Sequence, residues 1–259
     1  MNQEERCLWL IQTLLNEMPQ YKDTPIPQLP GRRWQMLRSL MNIRPPMPAS
    51  GEFLKVQDLF LRQMTGEKGI VDASTLIPCR RNRQITLWQG DMTTLHCDAI
   101  VNAANSQMLG CFSPCHGCID NIIHTMAGVQ LRLACAEIMQ RQGHEEPTGQ
   151  AKITSGFNLP AAYVLHTVGP IIEDEVTDED EHLLASCYES CLRLAAENRL
   201  TSVAFCCIST GVFRFPPARA AEIAVDTVEA FLRKESGIKQ VIFNVYKDSD
   251  REIYQQLLT

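Results

Sequence analysis

The stretch GCFSPCHGCIDN, residues 110–121, puts three cysteines and a histidine into eight residues. Zinc favours thiolate and imidazole ligands in tetrahedral sites, which makes Cys111, Cys115, His116 and Cys118 candidate ligands. Three chemistries are open to them. All four could close a structural zinc site, although Cys115 and His116 are adjacent and both would have to turn inward. Cys115 and Cys118 have the Cys-X-X-Cys spacing of a redox pair. Cys111, His116 and Cys118 could supply three ligands and leave a fourth position open, the arrangement of a catalytic metal. Asp120 follows directly, where a helix start would favour its carboxylate and where it could orient a water or accept its proton.

The elements that must position this cluster are legible around it. From about residue 83, segments rich in Val, Ile and aromatics, QITLWQGD, DAIVNAAN, AYVLHTVG, SVAFCCIST and QVIFNVYKD, read as strands. Helical spacing of apolar residues fills the gaps at 120–143, 181–199 and 217–236, and a short helix ends the chain. Strand–helix alternation predicts a three-layer α/β/α sandwich with ligands at the carboxyl ends of the strands. Those ends carry Gly90 and Asp91, then Asn102 and Asn105, then Ser209, Thr210 and Gly211 ahead of a helix. Backbone N–H groups in that last stretch suit a phosphate. Residues 1–80 differ: three helical repeats of apolar residues are separated by the proline-rich joints TPIPQLPG and RPPMPASG. They form an N-terminal helical extension expected to pack on the main domain, residues 81–259, or to cover one side of a cleft.

Composition narrows the partners. The formal charge of −6 provides no global positive field for nucleic acid, so phosphates would be held by local backbone dipoles. No apolar run is long enough for a membrane span, and the N-terminus has acidic residues ahead of its apolar ones, unlike a signal peptide. The eleven cysteines include Cys206 and Cys207 in one strand-like run, and Cys187 and Cys191 one helical turn apart. Reduced core thiols in a cytoplasmic protein are expected.

Taken in order, GDMTTLHCDAIVNAAN, LHTVGP and STGVFRFP resemble the macrodomain family of ADP-ribose-binding domains. The resemblance covers roughly residues 83–259 and implies an α/β macrodomain sandwich with a mixed central sheet. It implies that Asp91 accepts from the adenine amino group beside the Met92 amide. Asn105, and Asn102 with it, would contact the distal ribose. Ser209, Thr210, Gly211, Val212 and Phe213 would wrap the diphosphate, and Tyr246 would lie against the adenine. In the hydrolytic MacroD-type branch a glycine-rich loop precedes the helix. Here that loop is replaced by GCFSPCHGC, while CIDNIIHTMAG places Asp120 on the branch's catalytic aspartate and Asn121 beside it.

The signature CFxPxHxCIDN and the helical extension further resemble the zinc-dependent macrodomain subgroup. That likeness assigns Cys111, His116 and Cys118 as ligands of one zinc per chain and makes Cys115 dispensable. It implies a hydrolase that removes mono-ADP-ribose from proteins, with Asp120, Asn105 and Asn121 as the catalytic set. Implied partners are an ADP-ribosylated substrate, such as a lipoyl-carrier protein related to glycine cleavage H protein, and a functional link to a sirtuin-type ADP-ribosyltransferase. A non-catalytic ADP-ribose reader and an O-acetyl-ADP-ribose deacetylase are the alternatives.

Overall fold

Three helices open the chain: α1 (Gln3–Glu17), α2 (Pro30–Ile43) and α3 (Gly51–Lys68). Each start has a local cause. Asn2 caps α1 in a reciprocal box with Glu5, Pro30 presets the first turn of α2, and Ser50 caps α3 through the Phe53 N–H. Their apolar stripes meet in a small core of their own, built on Leu10, Leu14, Leu37, Phe53 and Leu61. A computed structural model describes residues 1–234 and 236–259 of the chain.

The second core begins sooner than residue 81. Strand β1 (Val71–Asp72) pairs in parallel with β3 (Leu95–His96), and Ala73 is buried with the sheet residues. The main sheet contains β2 (Ile85–Gln89), β4 (Ala99–Ala104), β5 (Ala151–Ser155), β6 (Tyr163–Val168), β7 (Ser202–Phe205) and β8 (Gln240–Val245). Its order is β2-β8-β7-β4-β6-β5, parallel throughout except for β5, which runs antiparallel to β6 at the edge. The sheet is therefore mixed, as expected. Its central strands are buried almost end to end because helices cover both faces. Helices α6 (Asp178–Glu197), α7 (Pro217–Leu232) and α8 (Asp248–Leu258) lie side by side, while α4 (Ile119–Ala127) and α5 (Val129–Gln142) pack elsewhere on the sheet and receive the extension on α4. Among the described residues no helix is long and apolar enough to cross a membrane.

Two readings of the sequence need correction. The continuous helix over 120–143 is two helices broken at Gly128, whose φ of 96° lies outside helical space. A Cβ there would come within 2.6 Å of both Gln57 and Gln130, so the break also leaves room for the Gln57 side chain of the extension. The edge strand β5 was not expected, because AKITS is short and only half-apolar.

Candidate active site

All the parallel strands end on one side of the sheet, and the loop from β4 to α4 lies there. Gly110 turns that loop at φ 78°, and a Cβ on it would meet the His124 ring at 2.8 Å. Beyond it the chain folds Cys111, His116 and Cys118 together, with their ligand atoms all within 4.8 Å of one another. Cys111 Sγ lies 3.7 Å from His116 Nδ1. Zinc bond lengths to sulfur and nitrogen imply a tetrahedral S···N edge of about 3.6 Å. Two thiols and an imidazole at that spacing fit the ion. Cys118 also caps α4, accepting the Asn121 N–H at 3.4 Å. Burial, with the Cys111 thiol beside it, pushes Cys118 up to about 12, a bias that a bound cation would reverse. Cys115 points elsewhere: its thiol lies 3.2 Å from Ser39 Oγ and donates to the Gln35 carbonyl at 3.3 Å.

Behind this loop is a buried polar cluster. Asp120, in the first turn of α4, accepts from Asn102 Nδ2 at 2.8 Å and has His124 Nε2 at 3.5 Å. Burial raises its carboxyl to about 6 against the opposing effects of the Asn102 bond and the Arg132 charge. His166 pairs Nδ1 with Asn102 at 3.2 Å and Nε2 with Thr154 Oγ1 at 2.9 Å, which suits a neutral ring that accepts at Nδ1 and donates at Nε2. Two of the candidate residues are held beneath the surface by protein partners. Asn102 is fully buried and engaged with Asp120 and His166. Asn121 is fully buried too, donating to the Cys111 and Ser113 carbonyls and accepting from Arg38. Both side chains lie below the surface, Asn102 on β4 against α4 and Asn121 beneath the 111–113 backbone.

The buried imidazoles carry a pH signature. Burial lowers His166 to about 3 and His124 well below its ordinary value. Between about 3 and 6.5 the unfolded chain therefore binds protons that the folded chain does not. The His166 contribution is complete above about pH 6.5 and declines by roughly 1.4 kcal/mol per pH unit as pH falls towards about 3, and His124 acts in the same direction. In denaturant titrations of chelator-treated protein from pH 6 to 4, His166→Gln should make the stability slope shallower by about that amount. An unchanged slope would mean that His166 is charged in the folded chain.

The remaining candidates follow the carboxyl ends of the parallel strands. Asp91 and Tyr246 follow the neighbouring strands β2 and β8, and Tyr246 is 80% exposed with its ring free. Asn105 follows β4, accepting the Gln107 N–H and donating to the Gly110 carbonyl. Ser209 and Arg214, both at positive φ, bend the 209–214 loop so that the N–H groups of Gly211, Val212 and Phe213 find no acceptor among the described residues. Consecutive free N–H groups make an anion cradle. One further partner carries no local sequence signal: Lys68 at the end of α3, whose Nζ lies 2.9 Å from Asp91 Oδ2. Burial alone would raise Asp91, but hydrogen bonds from Lys68 and Thr93 outweigh it and hold the carboxyl below its ordinary range. Gly169 lets the 209–214 loop close on the sheet, since a Cβ there would fall 2.0 Å from Ser209 Oγ. Gly169→Ala should therefore weaken ADP-ribose binding by about tenfold or more in calorimetry, at a stability cost of about 1–3 kcal/mol. Unaltered affinity would separate this loop from the ligand.

Comparison with known proteins fits this geometry. The Macro domain family model matches residues 101–224. A Treponema medium protein named protein-ADP-ribose hydrolase is 56% identical over 261 residues, all of both chains. One of the same name from Staphylococcus aureus (strain MSSA476) is 53% identical, covering 86% of this chain and 84% of the other. The solved Trypanosoma brucei macrodomain in complex with ADP-ribose superposes with a TM-score of 0.67 at 30% identity, over 85% of this chain and 95% of that one. A share that large extends beyond residues 81–259 into the helical extension. Sheet order and the full-length relative agree: the chain belongs to the macrodomain family.

Proposed function

We propose that the chain is a zinc-dependent hydrolase that releases mono-ADP-ribose from modified proteins. The observation that carries this reading is the convergence of Cys111, His116 and Cys118 at the start of α4, whose first turn carries Asp120. The name shared by its full-length relative supports it. Bound there, zinc would supply a Lewis acid able to polarise an oxygen or to lower the pKa of a water towards about 7.

The chain's own residues have separable tasks. Asp91 and the Met92 N–H take the adenine edge, with Tyr246 against its face. The free N–H groups of Gly211 to Phe213, with Ser209 and Thr210, hold the diphosphate, so binding energy from the remote end fixes the reacting end. Asn105 orients the distal ribose. Asp120 has one oxygen held by Asn102, and its second oxygen accepts no bond among the described residues. It is free to orient a water or take its proton at the C1″ side of the ribose. Asn121 serves the same chemistry indirectly, by tying the ligand loop to α4. All eleven cysteines are unpaired thiols, which suits a reducing compartment such as the cytoplasm. A lipoyl-carrier substrate and a sirtuin-type transferase as the opposing enzyme remain part of this proposal.

The test is incubation with a mono-ADP-ribosylated carrier protein, with and without chelator. Free ADP-ribose should appear only in the absence of chelator. Binding without release identifies a reader, and release of acetate from O-acetyl-ADP-ribose alone identifies the deacetylase. Release that ignores the chelator removes zinc from the mechanism.

A further inference from the structure

The N-terminal extension touches the ligand loop along one face of α2. Gln35, Arg38, Ser39 and Asn42 recur at the three- and four-residue spacing that aligns side chains on a helix. Arg38 makes the central contact. Its Nη2 donates to the His116 carbonyl and to Asn121 Oδ1, each at 2.7 Å. Asn121 in turn donates to the Cys111 and Ser113 carbonyls at 3.3 and 2.9 Å. One guanidinium nitrogen thus reaches the backbone of two of the three candidate ligands, directly at His116 and through one amide at Cys111.

A second anchor lies at Cys115. Its φ of 54° is a left-handed conformation that costs a non-glycine residue about 1–2 kcal/mol. Asn42 Oδ1 accepts the Cys115 N–H at 2.9 Å, while Asn42 Nδ2 donates to Thr125 Oγ1 on α4 at 3.0 Å. The thiol closes the contact on the Gln35 carbonyl and Ser39. The bend between Cys111 and His116 is thus held from outside the loop, by the extension. Cys115 is not a ligand in this arrangement, and neither is it idle.

We propose that α2 is part of the metal site, with Arg38 as the positioning residue that sets the His116 and Cys111 backbone for the ion. This rests on the zinc reading of the loop. Residues that orient metal ligands without touching the metal typically contribute 10–100-fold to affinity. An extension that only completed the fold, or only recognised the modified protein, would contribute nothing there.

The test uses the full-length chain and Co2+ as a probe, read by its thiolate-to-metal charge-transfer band and by competition with a chromogenic chelator. Arg38→Gln should weaken metal binding by about 10–100-fold and speed metal loss to chelator by a similar factor, with the far-UV spectrum and the melting temperature of the metal-free form nearly unchanged. Arg38→Lys, which keeps a cation but can reach fewer acceptors, should fall between the two and provides a readable variant if the glutamine form does not fold. Wild-type affinity in both variants, even with ADP-ribose release impaired, overturns the assignment and makes this face of α2 a substrate surface. Failure of the wild-type chain to develop the charge-transfer band would overturn the zinc reading itself, a distinguishable result.

Discussion

Cys118→Ser is expected to lower release of ADP-ribose from a modified protein by about a hundred- to a thousandfold while leaving the fold and ADP-ribose binding close to wild type. The magnitude follows from removing a preorganised electrostatic group at the reacting centre, worth about 3–4 kcal/mol in the transition state. Serine is chosen because Cys118 has two roles. Its sulfur caps α4 through the Asn121 N–H, and it is one of three converging candidate ligands. A serine hydroxyl is at least as good a helix cap as a thiol, so the start of α4 and the placement of Asp120 are preserved. It is a harder, weaker ligand for zinc, so only the metal role is lost. Cys118→Ala removes both functions and should also lower the melting temperature by a few degrees. Turnover assays beside calorimetry with ADP-ribose decide the matter. If Cys118→Ser retains turnover and Asp120→Ala loses it, the aspartate works without a metal at this loop. If Cys118→Ser also loses ADP-ribose binding, the loop is a structural staple of the pocket.

Arg132→Met should be the most destabilising change at the junction of the two cores, by about 3–5 kcal/mol. Arg132 is nearly buried on α5, yet its guanidinium finds four carbonyls: Leu109 through Nε at 2.7 Å, and Met41, Asn42 and Arg44 through Nη1. The last three form the C-terminal end of α2, where carbonyls lack intrahelical partners and the helix dipole favours a cation. The guanidinium also stacks 4.1 Å from the centre of the Phe112 ring. Burial lowers its pKa to about 10, still far above neutrality, so the charge persists. Methionine fills much of the volume but leaves those carbonyls buried without donors, at about 1–3 kcal/mol each before relaxation. For a chain of this size the melting temperature should drop by about 10 °C. Because Leu109 and Phe112 flank the ligand loop, metal affinity should fall with it. A shift of only a degree or two would mean that water replaces the guanidinium and that the junction is looser than its hydrogen bonds indicate.

Both results turn on the same physical fact, that the ligand loop is supported from two sides. α4 holds it through Asn121 and the Cys118 cap, and the extension holds it through Arg38 and Asn42. Sequence motifs report the first kind of support well, since Cys118 and Asn121 are neighbours along the chain. Support from Arg38 or Arg132 runs between residues 23 to 91 positions apart, with no local pattern to mark them.

That division runs through the whole molecule. The alternation of strands and helices, the helical extension, the reactive cluster at 111–118 and the polar strand ends were all determined by the sequence alone. Each depends on local rules of periodicity, caps and residue chemistry, which act within a few residues. Tertiary structure decided which of those residues share a space. It turned Cys115 towards α2, folded Asn102 and Asn121 beneath the surface, broke the long helix at Gly128, and paired Lys68 with Asp91. Those outcomes depend on burial and on hydrogen bonds between residues far apart in sequence, and both are settled only when the two cores come together.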